Sequence, residues 1–410
     1  LRDALAPLRE REFRLLFTGE TVSFLGTAMA PVALAFAVLE LTGSKTDLGL
    51  VLAARSVPQV IFLLVGGVWA DRLPRNHVMV ASNLLSGVAQ AAVAALLLSG
   101  AAEVWHLAAL AALNGFASAF FFPAAQGAVP QTVPAASLQS ANSLLGLARN
   151  ATYITGAALG GLIVAATSPG TAIAVDAASY GLAALALAAM RLPPGLRQAG
   201  SGFLAELAEG WQEFRSRTWL WAIVLQFAFV NAAWVGAESV LGPVVADEEL
   251  GGAAVWGLIL ATQSAGLVVG GLVLLRLRPR RLLLSATIGV LMTLPVLVAL
   301  AIPMSVVAIA ACAFAAGLGL ELFGVLWNTT MQQEIPADRL SRVYSYDALG
   351  SFVLIPIGFA VVGPVANALG TTETLLLAAT LNLLATLAVL ASRDVRTLQR
   401  RLPPAEATAA

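Results

Sequence analysis

The chain has 410 residues, 59% hydrophobic and 11% charged, with zero formal charge and a mean hydropathy of +0.85. A water-soluble domain of this size carries about 25% charged residues, so the polar face that would cover a soluble core is missing. The single cysteine, Cys312, excludes an internal disulfide and a thiolate metal cluster. The two histidines, His77 and His106, are too far apart for a typical metal site, so no metal or cofactor is expected, and no nucleic-acid partner.

Residues 1–12 are of mixed charge and lead straight into a long apolar run, which reads as a retained first helix rather than a cleaved signal. Apolar stretches then recur at 14–39, 48–70, 77–99, 104–126, 141–165 and 170–190. After a polar interruption they resume at 219–243, 254–275, 282–302, 304–328, 346–369 and 373–391. Each is long enough to cross about 30 Å of hydrocarbon as a helix. Backbone groups in lipid must be satisfied within their own segment, so about twelve transmembrane helices are expected and no barrel.

Basic residues fall on alternate loops. Arg72 and Arg75 follow the second span, Arg191, Arg197, Arg215 and Arg217 the sixth, and Arg276, Arg278, Arg280 and Arg281 the eighth. Arg339 and Arg342 follow the tenth, and Arg393, Arg396, Arg400 and Arg401 lie in the tail. The opposite loops offer little beyond Lys45 and the acids Asp247, Glu248 and Glu249. This bias predicts a multi-pass cell-membrane protein with both termini in the cytoplasm.

The middle of the chain opens with Pro193-Pro194-Gly195, a breaker cluster. Phe203, Leu204, Leu207, Trp211 and Phe214 then recur at helical spacing among acids. That pattern fits an interfacial amphipathic helix, or equally a short helix packed on the cytoplasmic face. The organisation expected is a six-helix bundle over 1–190, a linker over 191–218, a second bundle over 219–391 and a tail over 392–410. The halves echo each other. GLVLAARS at Gly49 to Ser56 answers GLILATQS at Gly257 to Ser264, and QTVPAASL at Gln131 to Leu138 answers QEIPADRL at Gln333 to Leu340. Both offsets are about 200 residues, as a parallel duplication requires.

The second loop reads GGVWADRLPR from Gly66 to Arg75. Gly67 permits close packing, Pro74 fixes a tight turn, and Asp71 is suited to a neighbouring helix N-terminus. Arg72 and Arg75 also satisfy ordinary positive-inside topology. The spacing Gly67, Asp71, Arg72, Arg75 resembles the G-x-x-x-D-R-x-x-R signature of major facilitator superfamily transporters. FRLLF at Phe13 to Phe17, LTGS at Leu41 to Ser44, PAAQGAVPQTVP at Pro123 to Pro134, ANSL at Ala141 to Leu144 and VDAASY at Val175 to Tyr180 resemble its enterobactin-exporter and macrolide-efflux branch. Two features depart from the family's patterns: Gly156 is followed by Ala157 where exporters often carry a Gly-Pro pair, and Ala111, ahead of Asn114-Gly115, stands where many proton antiporters carry an arginine ahead of a Gln-Gly pair.

The resemblance implies an all-α membrane fold of two pseudo-symmetric six-helix bundles and a cytoplasmic gate at Gly67, Asp71, Arg72 and Arg75, which Asp347 at the start of the eleventh span joins. It implies proton-coupled export of a small amphiphilic molecule (a drug, siderophore or secondary metabolite) by alternating access. The protein is expected to be a transporter and not an enzyme, monomeric, and seated in a bacterial inner membrane. The alternative is an importer, a facilitator or a lipid flippase on the same fold.

Charges at membrane depth are costly and usually face a cavity or a partner. Glu20, Glu238 and Glu321 fall on helices that line the cavity in this family and are the candidates for proton coupling. Glu20 with Arg149, and Arg55 with Asp176, are candidate structural pairs. Asn231, Trp234, Gln263, Trp327 and Asn328 are candidates for the substrate cavity, although any single aromatic fits ordinary packing or lipid contact as well.

Overall fold

The computed structural model describes residues 5–134, 137–192, 203–277, 279–302 and 304–399. Ala6–Arg9 forms a 3-10 turn. Six long helices follow: α1 (Arg11–Thr42), α2 (Lys45–Arg72), α3 (Arg75–Ser99), α4 (Val104–Thr132), α5 (Leu138–Ala166) and α6 (Pro169–Ala188). A short helix, α7 (Phe203–Ser216), precedes α8 (Thr218–Val230), α9 (Gly236–Val245), α10 (Ala253–Arg276), α11 (Leu282–Val290) and α12 (Leu294–Ala301). The chain closes with α13 (Val306–Glu334), α14 (Ala337–Phe352), α15 (Ile355–Leu369), α16 (Thr371–Ala391) and α17 (Arg393–Thr397).

Ten stretches among the described residues are long and apolar enough to cross a membrane. Helices α2 and α5, at 28 and 29 residues, have the length of two more. The expected spans are therefore all present, but three of them are not single helices. The seventh is α8 and α9 joined by a π-helical turn at Asn231–Val235, with a second such turn at Ala246–Leu250. Pro243 lies inside α9 and has no N–H to continue the ladder. The ninth is α11 and α12 joined by a 3-10 turn at Leu291–Thr293, just before Pro295. The eleventh is α14 and α15, interrupted just before Pro356.

Two compact units emerge from the packing. One comprises Leu1–Ala199, Gly236–Ala261 and Ile355–Thr371; the other comprises Gly200–Val235, Thr262–Leu354 and Thr372–Ala410. Lipid gives no hydrophobic drive between helices, so close approach of small residues holds them. In the first unit Gly115 of α4 lies on the backbone carbonyl of Arg55 in α2, and Gly160 of α5 on Met29 of α1. Gly49 of α2 lies on the carbonyl of Phe359 in α15, and Gly363 of α15 on Thr46 of α2. In the second unit Gly317 of α13 lies on the carbonyl of Gln263 in α10, and Gly266 returns the contact on Phe314. The Gly115–Arg55 contact and the Gly317–Gln263 contact thus fall at positions that the internal repeat relates.

At one end of the first unit, Phe13, Leu16, Met79, Ala124, Ala128 and Leu187 form a closed apolar cluster. The segments Phe13 to Phe17 and Pro123 to Pro134 therefore supply packing. Here Arg11 Nη2 donates to the Ala189 carbonyl at 3.0 Å, and Glu12 Oε2 accepts from the Arg191 backbone at 2.7 Å. In α7, Trp211 stacks on Phe214 and leans on Tyr346 of α14, with ring centroids 5.5 Å apart in both pairs. That contact matches a short helix packed on neighbouring helices. Residues 193–202 of the linker lie outside the described residues.

Candidate functional site

Four intramembrane charges of the first unit lie in two separate places. Glu20 on α1 is 7% exposed, and Arg149 on α5 is the charged group that acts on it. Asp176 on α6 is 0% exposed and accepts a hydrogen bond from Gln90 Nε2 of α3 at 2.6 Å. Arg55 on α2 acts on Asp176 and on Tyr180. Among the described residues neither arginine comes within 4.0 Å of its acid as an ion pair. The two candidate pairs are thus associations through space rather than closed bridges.

Gly67 belongs to α2, as does the backbone of Asp71 and Arg72, whose side chains lie outside the described residues. Arg75 opens α3 and its Nη1 donates to the carbonyl of Gly127 in α4. Gly127 carries no side chain where the guanidinium sits, and Cβ there would overlap it. One partner of this arginine is therefore a backbone carbonyl in the PAAQG segment, which the spacing of acids and bases gave no means of anticipating. His106 accepts a hydrogen bond from the Glu103 backbone at 3.1 Å and completes a capping box for α4. No group of three or more metal-ligating side chains occurs among the described residues.

In the second unit Asp347 on α14 is the centre of a second polar cluster. Trp327 Nε1 of α13 donates to Asp347 Oδ2 at 3.0 Å, and Ser351 Oγ to Oδ1 at 3.3 Å. Asn231 Nδ2, in the π-helical turn of the seventh span, donates to the Ser351 carbonyl at 2.9 Å. A π-helical turn re-aims side chains relative to a regular helix, and here it presents an amide to the eleventh span. Tyr344 donates to Asn328 Oδ1 at 3.0 Å. Aromatic rings line one side: Phe323 stacks on Trp327 at 5.9 Å, Phe227 meets Phe323 at 4.1 Å, and Trp219 meets Trp327 edge-on at 5.7 Å.

The structure thus brings Asn231, Trp327, Asn328 and Asp347 into one neighbourhood. Of the other two candidates, Gln263 packs its backbone carbonyl against Gly317, and Trp234, in the same π-helical turn as Asn231, holds its indole N–H buried without a hydrogen bond. Glu321 fits against Gly270 and Gly271 of α10, which gives that glycine pair a packing purpose. Glu238 on α9 is buried within the first unit. Sequence reasoning passed over Gln90, Thr293 and Thr386, each of which bridges two spans. The available signal was a lone polar side chain in an otherwise apolar run.

A family model described as Major Facilitator Superfamily matches residues 16–359. The multidrug efflux pump Tap of Mycolicibacterium fortuitum is 29% identical over 88% of this chain and 90% of its own length. Macrolide efflux protein A of Streptococcus pyogenes is 24% identical over 90% of this chain and 93% of its own. Among solved structures, a POT family transporter superposes with a TM-score of 0.76 at 13% identity, covering 95% of this chain and 97% of that one. The nucleoside transporter NupG gives 0.70 at 13% identity, covering 92% and 98%. These two likenesses concern the fold alone. With helices of spanning length along its whole course and a family match over most of its residues, this chain belongs to the Major Facilitator Superfamily, as a multi-pass membrane transporter and not an enzyme.

Proposed function

We propose that the chain exports a small amphiphilic molecule from the cytoplasm, driven by protons moving inward. The observation that carries this reading is likeness over about nine-tenths of the length to proteins named as efflux pumps. Alternating access supplies the mechanism. Two six-helix bundles, 1–190 and 219–391, rock about a shared site while the linker at 191–218 holds them together. The arginine-bearing loops face the cytoplasm with both termini, and the functional unit is a monomer in a bacterial inner membrane.

Asn231, Trp327 and Asn328, together with Trp234 and Gln263, bind the substrate in this scheme. The ring ladder from Phe227 to Trp219 gives an amphiphile an apolar wall, and the amides give it hydrogen bonds. Glu20, Glu238 and Glu321 are the coupling carboxylates. A carboxylate near the bilayer centre costs about 2.5–3.5 kcal/mol when charged, which makes proton uptake there favourable. Gly67, Asp71, Arg72 and Arg75 form the cytoplasmic gate with Asp347.

The test is uptake by proteoliposomes of the full-length protein under an imposed pH gradient, with erythromycin and ethidium as probes. Wild type is expected to accumulate at least one probe against its gradient, and Glu20→Gln or Glu321→Gln to bind it without accumulating it. Probe movement indifferent to the pH gradient overturns proton coupling and indicates a facilitator. Unaltered accumulation in both variants removes these two carboxylates from the mechanism.

A further inference from the structure

Asp176 is more deeply buried than any other acid among the described residues, and its two carboxyl oxygens are treated differently. Oδ2 accepts from Gln90 Nε2 at 2.6 Å. Oδ1 is buried and takes no hydrogen bond. Ser179 is beside it, but Ser179 Oγ donates to the Asp176 backbone carbonyl at 2.7 Å. Across from Oδ1 stands Gly26 of α1, where Cβ would come within 2.7 Å of that oxygen and overlap Ser179. The first helix therefore passes bare backbone over the unpartnered oxygen.

The charged and titratable neighbours are few. Helix α3 contributes the neutral Gln90, and α1 contributes Gly26 and the neutral Thr27. Arg55 of α2 acts on the site without closing an ion pair. Tyr180, one turn further along α6, holds its hydroxyl against Thr27 Oγ1 at 3.0 Å and interacts with Asn114. A carboxylate offers about four lone-pair sites to donors. One amide, the adjacent Ser179 hydroxyl and a guanidinium at a distance leave part of them empty, at a residue with no exposed surface. A neutral carboxylic acid meets these surroundings at far lower cost, because the proton replaces the missing donor on Oδ1.

The second half of the chain supplies an internal control. Its ninth and twelfth spans are bridged by Asn382 Nδ2 donating to Thr293 Oγ1 at 2.8 Å. Thr386 Oγ1 donates to Asn382 Oδ1 at 3.3 Å, and Gln226 Nε2 of α8 donates to Thr386 at 3.0 Å. A neutral amide is thus sufficient to tie the sixth helix of a bundle to its first and third. The ionisable group at Asp176 exceeds what that packing requires.

We propose that Asp176 is a proton-binding site of the transport cycle: Oδ1 takes up one proton, carries it sealed beneath Gly26, and releases it when α1 and α6 part enough for water to enter. No bond between heavy atoms changes; one proton is gained from one compartment and lost to the other. This role rests on the proton-coupled export reading.

Two measurements test it separately. The first is infrared difference spectroscopy of the purified full-length protein between acidic and alkaline buffer, with no substrate. A carbonyl stretch of a protonated carboxylic acid is expected to titrate in wild type, to vanish in Asp176→Asn and to reappear at a displaced frequency in Asp176→Glu. An Asp176→Asn spectrum that matches wild type in this region overturns the proposal. If Asp176→Asn does not assemble, the position of the band in Asp176→Glu decides, and an undisplaced band overturns it equally. The second is pH-driven erythromycin accumulation in inside-out vesicles, which Asp176→Asn is expected to lose while exchange at equal pH remains measurable. Full pH-driven accumulation in Asp176→Asn also overturns the proposal. If wild type itself accumulates neither erythromycin nor ethidium, the export reading fails, and the infrared result still decides whether Asp176 binds the proton.

Discussion

In the first six spans, hydrogen bonds tie α1 to α6 through Thr27 and Tyr180, and α3 to α6 through Gln90 and Asp176. In the last six, they tie α8 to α16 through Gln226 and Thr386, and the turn between α11 and α12 to α16 through Thr293 and Asn382. The helices joined are the first, third and sixth of each set, but the chemistry differs. The second chain is neutral throughout; its one unpartnered buried oxygen, Gln226 Oε1, belongs to an amide and carries no charge. The first contains an acid with an unpartnered oxygen, an arginine at a distance and a glycine, Gly26, where a side chain would overlap Ser179. Two copies of one architecture thus separate what holds helices together from what exceeds that need.

The sharpest challenge to this contrast is Asn382→Asp. It places a carboxylate in the neutral chain, and is expected to cost about 3 kcal/mol, the scale for an acid at membrane depth. Thermal unfolding in detergent reads it, and an unchanged melting temperature would mean that the two chains tolerate charge alike. Gly26→Val comes next. Its side chain must displace Ser179 and crowd Asp176, an overpacking worth about 2 kcal/mol, whereas the open Gly181→Val site on α6 should cost less in the same assay. Thr386→Val removes the hinge of the neutral chain and is expected to cost about 1 kcal/mol, in the range of interhelical hydrogen bonds in bilayers. Asp176→Asn gives the first chain the chemistry of the second and is expected to move stability by no more than about 0.5 kcal/mol. A loss of several kcal/mol there would instead mark Asp176 as half of an essential buried ion pair with Arg55.

The glycines illustrate how much of the fold was legible. Gly67 was read as permitting close packing, and the segments Gly49 to Ser56 and Gly257 to Ser264 announced a repeated unit. That Gly115 and Gly317 rest on the carbonyls of Arg55 and Gln263 was not available from either segment. Arg75 was legible as a loop arginine, but one acceptor of its guanidinium, the Gly127 carbonyl, is 52 residues away on another helix. The cluster around Asp347 was half visible: Trp327, Asn328 and Asn231 were singled out for the substrate cavity, and Asp347 for the cytoplasmic gate. The π-helical turn that brings Asn231 to Ser351 left no sequence signal distinct from an ordinary span.

What the sequence by itself determined is the number of spans and the depth of every charge along its own helix. These are local properties, because a segment in hydrocarbon must satisfy its own backbone and its apolar length sets where it enters and leaves. Only the tertiary structure decided which polar groups meet. Gln90 and Asp176 are 86 residues apart, and Gln226 and Thr386 are 160 apart. Their encounter depends on the rotation of each helix about its axis and on its choice of neighbour, and both are set by small residues packing across an interface rather than by hydropathy.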